Sequence, residues 1–339
     1  MLGQSGYRPV QVLEELEPLA ASPTAYAFVA VLGLLWGSFA NVCIYRWPPT
    51  DELPHGRSVV RPGSHCFACK APIRWYDNVP VASWLWLRGR CRACKARFSP
   101  RYVVVEALTA LLFAVAWWAT TSHVAAGVRG VFHAEPFDAR LIRFAIYAAF
   151  CLVMVVITFI DLDHKLILNK VTVPSIVAFY ALGLLLPGQT WPLGLVGIAV
   201  GYGVPWAIGE AYYRLTGREG LGLGDGMLLA VVGALLGWKG VVASLFGGST
   251  IGSVIGVAAL AFARRRGAPA RGEVAPGTTP PAGEAADLAA GDANNDDGAA
   301  GSPSLMRTEL PFGPFLAMAA VFYLYAEPWI LLYFRFPGG

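Results

Sequence analysis

Two aspartates lie where long apolar segments meet polar loops. Asp161 directly follows the uncharged run from Phe144 to Ile160, and Asp225 precedes the apolar segment that begins at Met227. A carboxylate at membrane depth is costly, so acids in such positions are candidates for function. Two carboxylates close together tend to hold one proton between them, so that one can activate water while the other polarises a carbonyl group. This chemistry hydrolyses a peptide bond without a covalent intermediate.

Each aspartate also has an ordinary structural interpretation. Asp225 can cap a helix, because an aspartate there accepts a backbone N–H and suits the helix dipole. Asp161 can be a solvated residue at a helix end, with Asp163 and His164 in an aqueous loop behind it. Asp163 is the alternative catalytic acid. Glu106 is a further candidate, and its ordinary interpretation is a first-turn helix acid.

Two glycines precede the second aspartate in the sequence Gly222-Leu223-Gly224-Asp225. Glycine permits a positive φ and lets another backbone approach closely, as a peptide docking in extended form requires. We therefore predict that Gly222 and Gly224 contact a substrate.

Four of the six cysteines form two Cys-x-x-Cys pairs separated by 21 residues. They are Cys66, Cys69, Cys91 and Cys94. This spacing is typical of a tetrahedral zinc site, and a closed four-thiolate shell leaves no position for a catalytic water. The pattern predicts a structural zinc, whose binding would stabilise a segment with few aliphatic residues. The alternatives are two disulfides or four unrelated thiols.

The composition predicts an all-α polytopic membrane protein, since 56% of the 339 residues are hydrophobic and only 14% are charged. Apolar windows long enough to span a bilayer predict about eight helices. The windows are 25–45, 103–119, 141–160, 171–187, 193–210, 226–240, 241–263 and 312–334. The break at Gly237-Trp238-Lys239-Gly240 leaves open whether 226–263 holds two helices or a kinked one.

The distribution of basic residues predicts the orientation. With eight crossings, the segments 46–101, 161–170 and 211–225 face the same side, and the first of them holds 11 Lys and Arg. The opposite-side segments hold 5 together. The positive-inside rule then assigns the shared side to the cytoplasm, where cysteines also stay reduced. Both aspartates are expected at this cytoplasmic boundary.

We predict five parts in the chain. They are 1–45, an N-terminal segment with a retained first helix; 46–101, a small cytoplasmic zinc-binding domain; 102–263, a transmembrane catalytic core; 264–308, a disordered cytoplasmic insertion; and 309–339, the last transmembrane helix. The insertion is rich in Ala, Gly, Pro, Asp and Asn, a composition that cannot bury a core.

Several motifs, in order along the chain, resemble the bacterial prepilin peptidases, the type IV leader peptidases of pilus and type II secretion systems. They are Gly37–Val42 with Tyr45 and Arg46, the region Cys66–Glu106, Asp161–His164, Gly222–Asp225 and Pro311–Phe315. The chain departs from the family pattern at Leu168, where a proline is usual, and in the length of segment 264–308.

The resemblance implies two activities. Such enzymes cut a short basic leader from prepilins and pseudopilins after a glycine, and then methylate the new N-terminal amine with S-adenosylmethionine. Asp161 and Asp225 match the catalytic aspartates, and the four cysteines match the zinc-binding domain. The expected location is the bacterial inner membrane, with the active site facing the cytoplasm. The expected partners are the lipid bilayer and pilin-like substrates, and not nucleic acid.

Two other classes of function stay open at this point. A proton- or cation-coupled transporter also uses intramembrane carboxylates, but would place them near the membrane midplane and needs no cysteine domain. A non-enzymatic assembly component would depend on the cysteines and tolerate loss of the acids. No glycine-rich nucleotide-binding turn identifies residues that contact S-adenosylmethionine.

Overall fold

The computed structural model describes residues 17–50, 53–54, 56–121, 136–186, 189–217, 222–265 and 311–335. Within these ranges the chain is helical and forms no strand, so the all-α prediction is confirmed. The helices are α1 (Pro23–Arg46), α2 (Ala82–Trp86), α3 (Arg101–Thr121), α4 (Phe137–His164), α5 (Asn169–Gly183), α6 (Trp191–Thr216), α7 (Leu223–Arg265) and α8 (Gly313–Arg335).

Five helices among the described residues are long and apolar enough to cross a membrane. They are α1, α3, α4, α6 and the Leu223–Ala258 part of α7. The protein is therefore a membrane protein, but the count of eight spans is not confirmed. Helix α5 has only 15 residues, and the apolar part of α8, Gly313–Glu327, is also shorter than a usual span.

Windows 226–240 and 241–263 correspond to two helical stretches that meet at a kink. The range α7 consists of one stretch before and one after Gly237, whose φ of 64° and ψ of −172° are not helical. The sequence break at Gly237-Trp238-Lys239-Gly240 is therefore a junction between two helical stretches, with no separate loop between them. A glycine adopts this conformation without the steric penalty that a side chain would add.

The chain divides into two compact units, Met1–Ile251 with Pro311–Gly339, and Gly252–Leu310. In the second unit the structure describes residues 252–265, which are helical. The predicted disordered insertion 264–308 lies outside the described residues except for Arg264 and Arg265, which belong to α7.

Helix α4 is central to the first unit. It packs against α1, α3, α5 and α8, and its buried residues include Phe150, Met154 and Ile157. The first half of α7 contributes Leu228, Leu229, Val231 and Val232 to the same apolar cluster. The aspartates at the end of α4 and the start of α7 are thus carried by the most buried helices.

Close backbone contact joins α6 to α7. A Cβ at Gly197 would lie 2.8 Å from the carbonyl carbon of Gly233 and 2.8 Å from the Cα of Gly237. Small residues let transmembrane backbones approach closely and gain van der Waals contact. This contact positions the first half of α7, and with it Asp225.

Candidate active site and metal centre

Asp161 lies in the last turn of α4, with only 5% of its surface exposed. A carboxylate is poorly placed at a helix C-terminus, where the dipole favours cations. The backbone N–H of Gly313, the first residue of α8, donates a hydrogen bond to it. The N–H groups of a helix's first turn have no partner within that helix. The start of α8 therefore offsets the unfavourable position of Asp161.

The end of α4 differs from the sequence expectation. Asp163 and His164 were predicted to lie in a loop, but they belong to the last turn of α4 and are exposed. The helix ends where Lys165 takes a left-handed conformation, φ 50°, and donates its N–H to the carbonyl of Asp161 at 2.8 Å. Asp163 pairs with Arg101 of α3, so its carboxylate is engaged in an ion pair.

Asp225 lies in the first turn of α7, which begins at Leu223. It is half-buried, and its backbone N–H donates to the carbonyl of Gly222 at 3.1 Å. The cap residue is therefore Gly222, and Asp225 is the third residue of the helix rather than its cap. The first turn of a helix is a favourable place for a carboxylate.

The tertiary structure brings the two aspartates together. The carboxylates of Asp161 and Asp225 interact electrostatically with each other. The side chain of Ile167 lies between Gly224, next to Asp225, and Gly313, next to Asp161. A Cβ at Gly224 would be 3.1 Å from the Cβ of Ile167, and a Cβ at Gly313 would be 3.4 Å from its Cδ1. The site thus combines the end of α4, the loop behind it and the starts of α7 and α8.

The expectation of a positive φ at the two glycines is wrong. Neither Gly222 nor Gly224 has φ in the left-handed region. Gly224 is required for a different reason, because its α-carbon faces Ile167 at close range. Gly222 is exposed, and a Cβ there would meet only Asp225 Oδ2, at 3.8 Å.

The four cysteines of the two Cys-x-x-Cys pairs form one cluster. Their sulfur atoms all lie within 4.8 Å of one another, with Cys66 and Cys94 3.7 Å apart and Cys69 and Cys91 4.0 Å apart. Thiolates around a tetrahedral metal with bonds of about 2.3 Å lie about 3.8 Å apart. All four are free cysteines, so the disulfide alternative is not supported. The cluster can hold a metal ion.

Two equivalent turns build this cluster. Lys70 N–H bonds to the carbonyl of Cys66 at 3.0 Å, and Lys95 N–H to that of Cys91 at 3.1 Å. Both lysines have a positive φ, 57° and 61°. A hydrogen bond from the backbone N–H of Cys69 lowers the pKa of the Cys66 thiol to about 6, whereas burial and the neighbouring thiols raise the pKa of Cys94. Of these two cysteines, Cys66 therefore more readily takes the thiolate form, which binds metal.

Glu106 of α3 forms a hydrogen bond to the cysteine-bearing segment. It is buried, and its Oε2 accepts the backbone N–H of Val81 at 2.7 Å. Val81 has an unusual φ of 59° for a β-branched residue. The ordinary interpretation of Glu106 as a first-turn acid is therefore wrong, because the residue lies in the second turn of α3 and its carboxylate anchors a strained turn.

Sequence reasoning did not assign a role to Gly313 or Ile167, although both contribute to the site. The motif Pro311–Phe315 was a signal for Gly313, since glycine between two prolines at a helix start indicates restricted space. Leu168, where a proline is usual in related chains, has φ −82°, which lies near the range that proline allows. Leucine at this position therefore keeps a backbone conformation close to the one that proline would require.

The fold and site define a helical membrane protein with two facing aspartates and a four-cysteine cluster. The chain matches the bacterial peptidase A24 N-terminal domain over residues 31–120 and the type IV leader peptidase family over residues 148–257. The chain belongs to the type IV leader peptidase family.

Several curated proteins are similar to the chain, each named a prepilin leader peptidase/N-methyltransferase. The one from Myxococcus xanthus is 32% identical, with 91% of this chain and 92% of the relative covered. Those from Aeromonas salmonicida and Neisseria gonorrhoeae are 35% and 36% identical and cover 68% and 70% of this chain, and 80% and 82% of their own lengths. No solved structure matches the chain significantly.

The transporter alternative loses its support. It expected acids near the membrane midplane, whereas Asp161 and Asp225 lie in the terminal turns of their helices. It also gave no reason for a four-cysteine cluster, which is present.

Proposed function

We propose that this protein is a membrane aspartyl endopeptidase that removes the leader of type IV prepilins or pseudopilins after a glycine. It then methylates the new N-terminal amine with S-adenosylmethionine. Membership of the leader peptidase family supports the first activity, and the names of the relatives combine it with the second. The observation that carries the proposal is that Asp161 and Asp225 lie close enough for their carboxylates to interact electrostatically.

The two aspartates act as a pair in the hydrolysis. The ionised carboxylate takes a proton from water, whose oxygen attacks the carbonyl carbon, while the protonated carboxyl group donates to the carbonyl oxygen. The C–N bond then breaks, and the leaving nitrogen takes a proton to become the new amine. The N–H of Gly313 keeps the Asp161 carboxylate oriented throughout.

Gly222 and Gly224 are proposed to contact the substrate beside Asp225. Gly222 is exposed and has open space around its α-carbon, so an extended peptide backbone can approach it. Gly224 keeps the start of α7 close to Ile167. Their contribution is to make room near the acids rather than to supply a chemical group.

The proposed metal is zinc, bound by Cys66, Cys69, Cys91 and Cys94. Four thiolates at these separations suit tetrahedral zinc and close its shell, so the ion stabilises the segment and does not activate water. In this proposal 46–101 is the zinc-binding domain, 102–263 the catalytic core, and 1–45 and 309–339 supply the first and last membrane helices.

The proposed location is the bacterial inner membrane, with the acids and the cysteine cluster at its cytoplasmic face. Arg101 links the two regions, because its guanidinium bonds to Asp163 and to the carbonyl of Phe159 of α4. The excess of Lys and Arg in segment 46–101 supports the cytoplasmic side.

Mass spectrometry of a prepilin provides the test. The purified protein is incubated with the prepilin, with and without S-adenosylmethionine. We expect loss of the leader in both samples and the added mass of one methyl group only with the donor. An intact prepilin after incubation with folded, metal-loaded protein would contradict the proposal.

A further inference from the structure

A cavity of about 540 Å³ lies between the cysteine-bearing segment and the facing parts of α1 and α3. It is bordered by Phe67 and Cys91 from the two cysteine turns, by Asn41 of α1 and by Tyr102 and Glu106 of α3. Sites for small molecules typically measure about 300–1,000 Å³. Neither Asp161 nor Asp225 lines the cavity, so it is separate from the hydrolytic site.

Fixed polar groups converge on this cavity. The guanidinium of Arg92 holds Asp77 through its Nε, 2.8 Å from Oδ2, and keeps the pKa of that carboxyl below its usual range. The Asn41 amide donates to the carbonyl of Tyr102 at 3.0 Å. Hydrogen bonds thus orient the walls before any ligand arrives, which lowers the entropic cost of binding.

The charge of the lining favours a ligand with a carboxylate. Its charged residues are four arginines and two acids: Arg46, Arg74, Arg90, Arg92, Asp77 and Glu106. Arg46 is 7% exposed and donates to the neutral carbonyls of Ser58 and Gly63. Within the described residues it forms no ion pair with an acid, so its charge is available for a carboxylate.

Aromatic rings form one side of the cavity. Phe98 meets Phe67 and Tyr102 edge to face, with centroids 5.7 Å and 6.4 Å apart. Such rings can stack on a planar base, and their faces attract a cation. A ligand that suits the cavity therefore has a planar base, a cationic centre and a carboxylate.

We infer that this cavity binds the methyl donor, S-adenosylmethionine, whose purine, sulfonium and amino-acid carboxylate have this chemistry. The inference rests on the proposed N-methyltransferase function and assigns its donor site. In the described part of the chain there is no strand–helix unit of the kind that binds nucleotides in Rossmann folds. The donor therefore needs a site of another kind.

The transfer step balances without a further reagent. The new N-terminal ammonium first gives a proton to solvent water. The nitrogen lone pair then forms a bond to the sulfonium methyl carbon, and the C–S bond breaks with its electrons remaining on sulfur. The products are a methylated ammonium and S-adenosylhomocysteine.

The start of α3 connects the cavity to the end of α4. Tyr102 lines the cavity, and the adjacent Arg101 bonds to Asp163 and to the carbonyl of Phe159 in the last turns of α4. Helix α4 is also the helix that carries Asp161.

Two matched substitutions test the assignment. Ala71 and Ala96 are equivalent, since their carbonyls accept the N–H groups of Cys66 and Cys91 at 2.9 Å and 2.8 Å. Ala71 lines the cavity and Ala96 does not.

Binding of S-adenosylhomocysteine to the purified full-length protein is measured by calorimetry. Ala71→Trp should weaken binding roughly tenfold or more by filling the cavity, while Ala96→Trp should leave it unchanged. Both should still cleave prepilin.

The outcomes separate this inference from the proposed function. Unchanged binding by Ala71→Trp would overturn the cavity assignment, and so would binding of a leader peptide there in place of S-adenosylhomocysteine. Wild-type protein that binds S-adenosylhomocysteine but does not cleave prepilin would overturn the peptidase alone. Wild-type protein that cleaves but binds no S-adenosylhomocysteine would overturn the donor site alone.

A second measurement needs no variant. Ultraviolet irradiation with labelled S-adenosylmethionine attaches the donor to nearby residues of the wild-type protein, and peptide mapping locates the label. Label within 38–46 or 64–106 supports the assignment. Label confined to 136–335 contradicts it, even where Ala71→Trp fails to fold.

Discussion

The backbone N–H of Gly313 is hydrogen-bonded to the carboxylate of Asp161, and there is no room for a side chain between them. A Cβ at Gly313 would lie 2.5 Å from Asp161 Oδ2. The start of α8 therefore contacts the end of α4 at the proposed catalytic acid. This relationship makes α8 part of the proposed active site.

Gly313→Ala is expected to lower cleavage of prepilin roughly ten- to hundredfold, because the added methyl group displaces the Asp161 carboxylate. Initial rates with a purified prepilin measure the effect. Gly203→Ala is the matched control, since no atom lies within 4 Å of a Cβ at that helical position. Equal rates for the two variants would show that Asp161 needs no such space.

Asp161→Asn and Asp225→Asn should each reduce cleavage by about a thousandfold or more, because an amide can neither accept the water's proton nor replace the shared one. The double variant should be no worse than either single one, as for groups that act as a unit. Asp163→Asn should keep the rate within about tenfold, because its exposed pair with Arg101 contributes little. A severe loss in Asp163→Asn alone would reassign the acid.

Metal analysis of the purified protein should find about one zinc per chain. Cys66→Ser should reduce the zinc content and the melting temperature, because the ion links the two cysteine turns. Cys43→Ala changes a buried cysteine outside the cluster and should keep the zinc content. Metal-free protein that is fully folded and active would refute the structural role.

Gly197→Ala should destabilise the protein by about 1–3 kcal/mol, because its Cβ would overlap the backbone of α7. Thermal unfolding in detergent measures this effect. Gly203→Ala in the same helix should be neutral or slightly stabilising, since alanine has the higher helix propensity. A melting temperature unchanged by Gly197→Ala would mean that α6 and α7 can separate at little cost.

Local sequence determined the features that depend on neighbouring residues. Apolar windows predicted helices at each position where the structure has a long one, since hydrophobic length is a property of a continuous segment. The paired Cys-x-x-Cys spacing predicted the cluster, because each turn is built from a few consecutive residues. The number of spans did not follow, since hydropathy alone does not show where a helix bends, as it does at Gly237.

The chain sequence by itself thus predicted Asp161, Asp225 and the four cysteines as the residues that carry the chemistry. Only the tertiary structure decided that the two aspartates lie close enough to interact electrostatically, that Gly313 contacts one of them, and that a cavity forms beside the cysteine turns. These features depend on how α3, α4, α7 and α8 pack and in what register. Contacts between distant segments are set by the summed shape of many side chains, which no local pattern records.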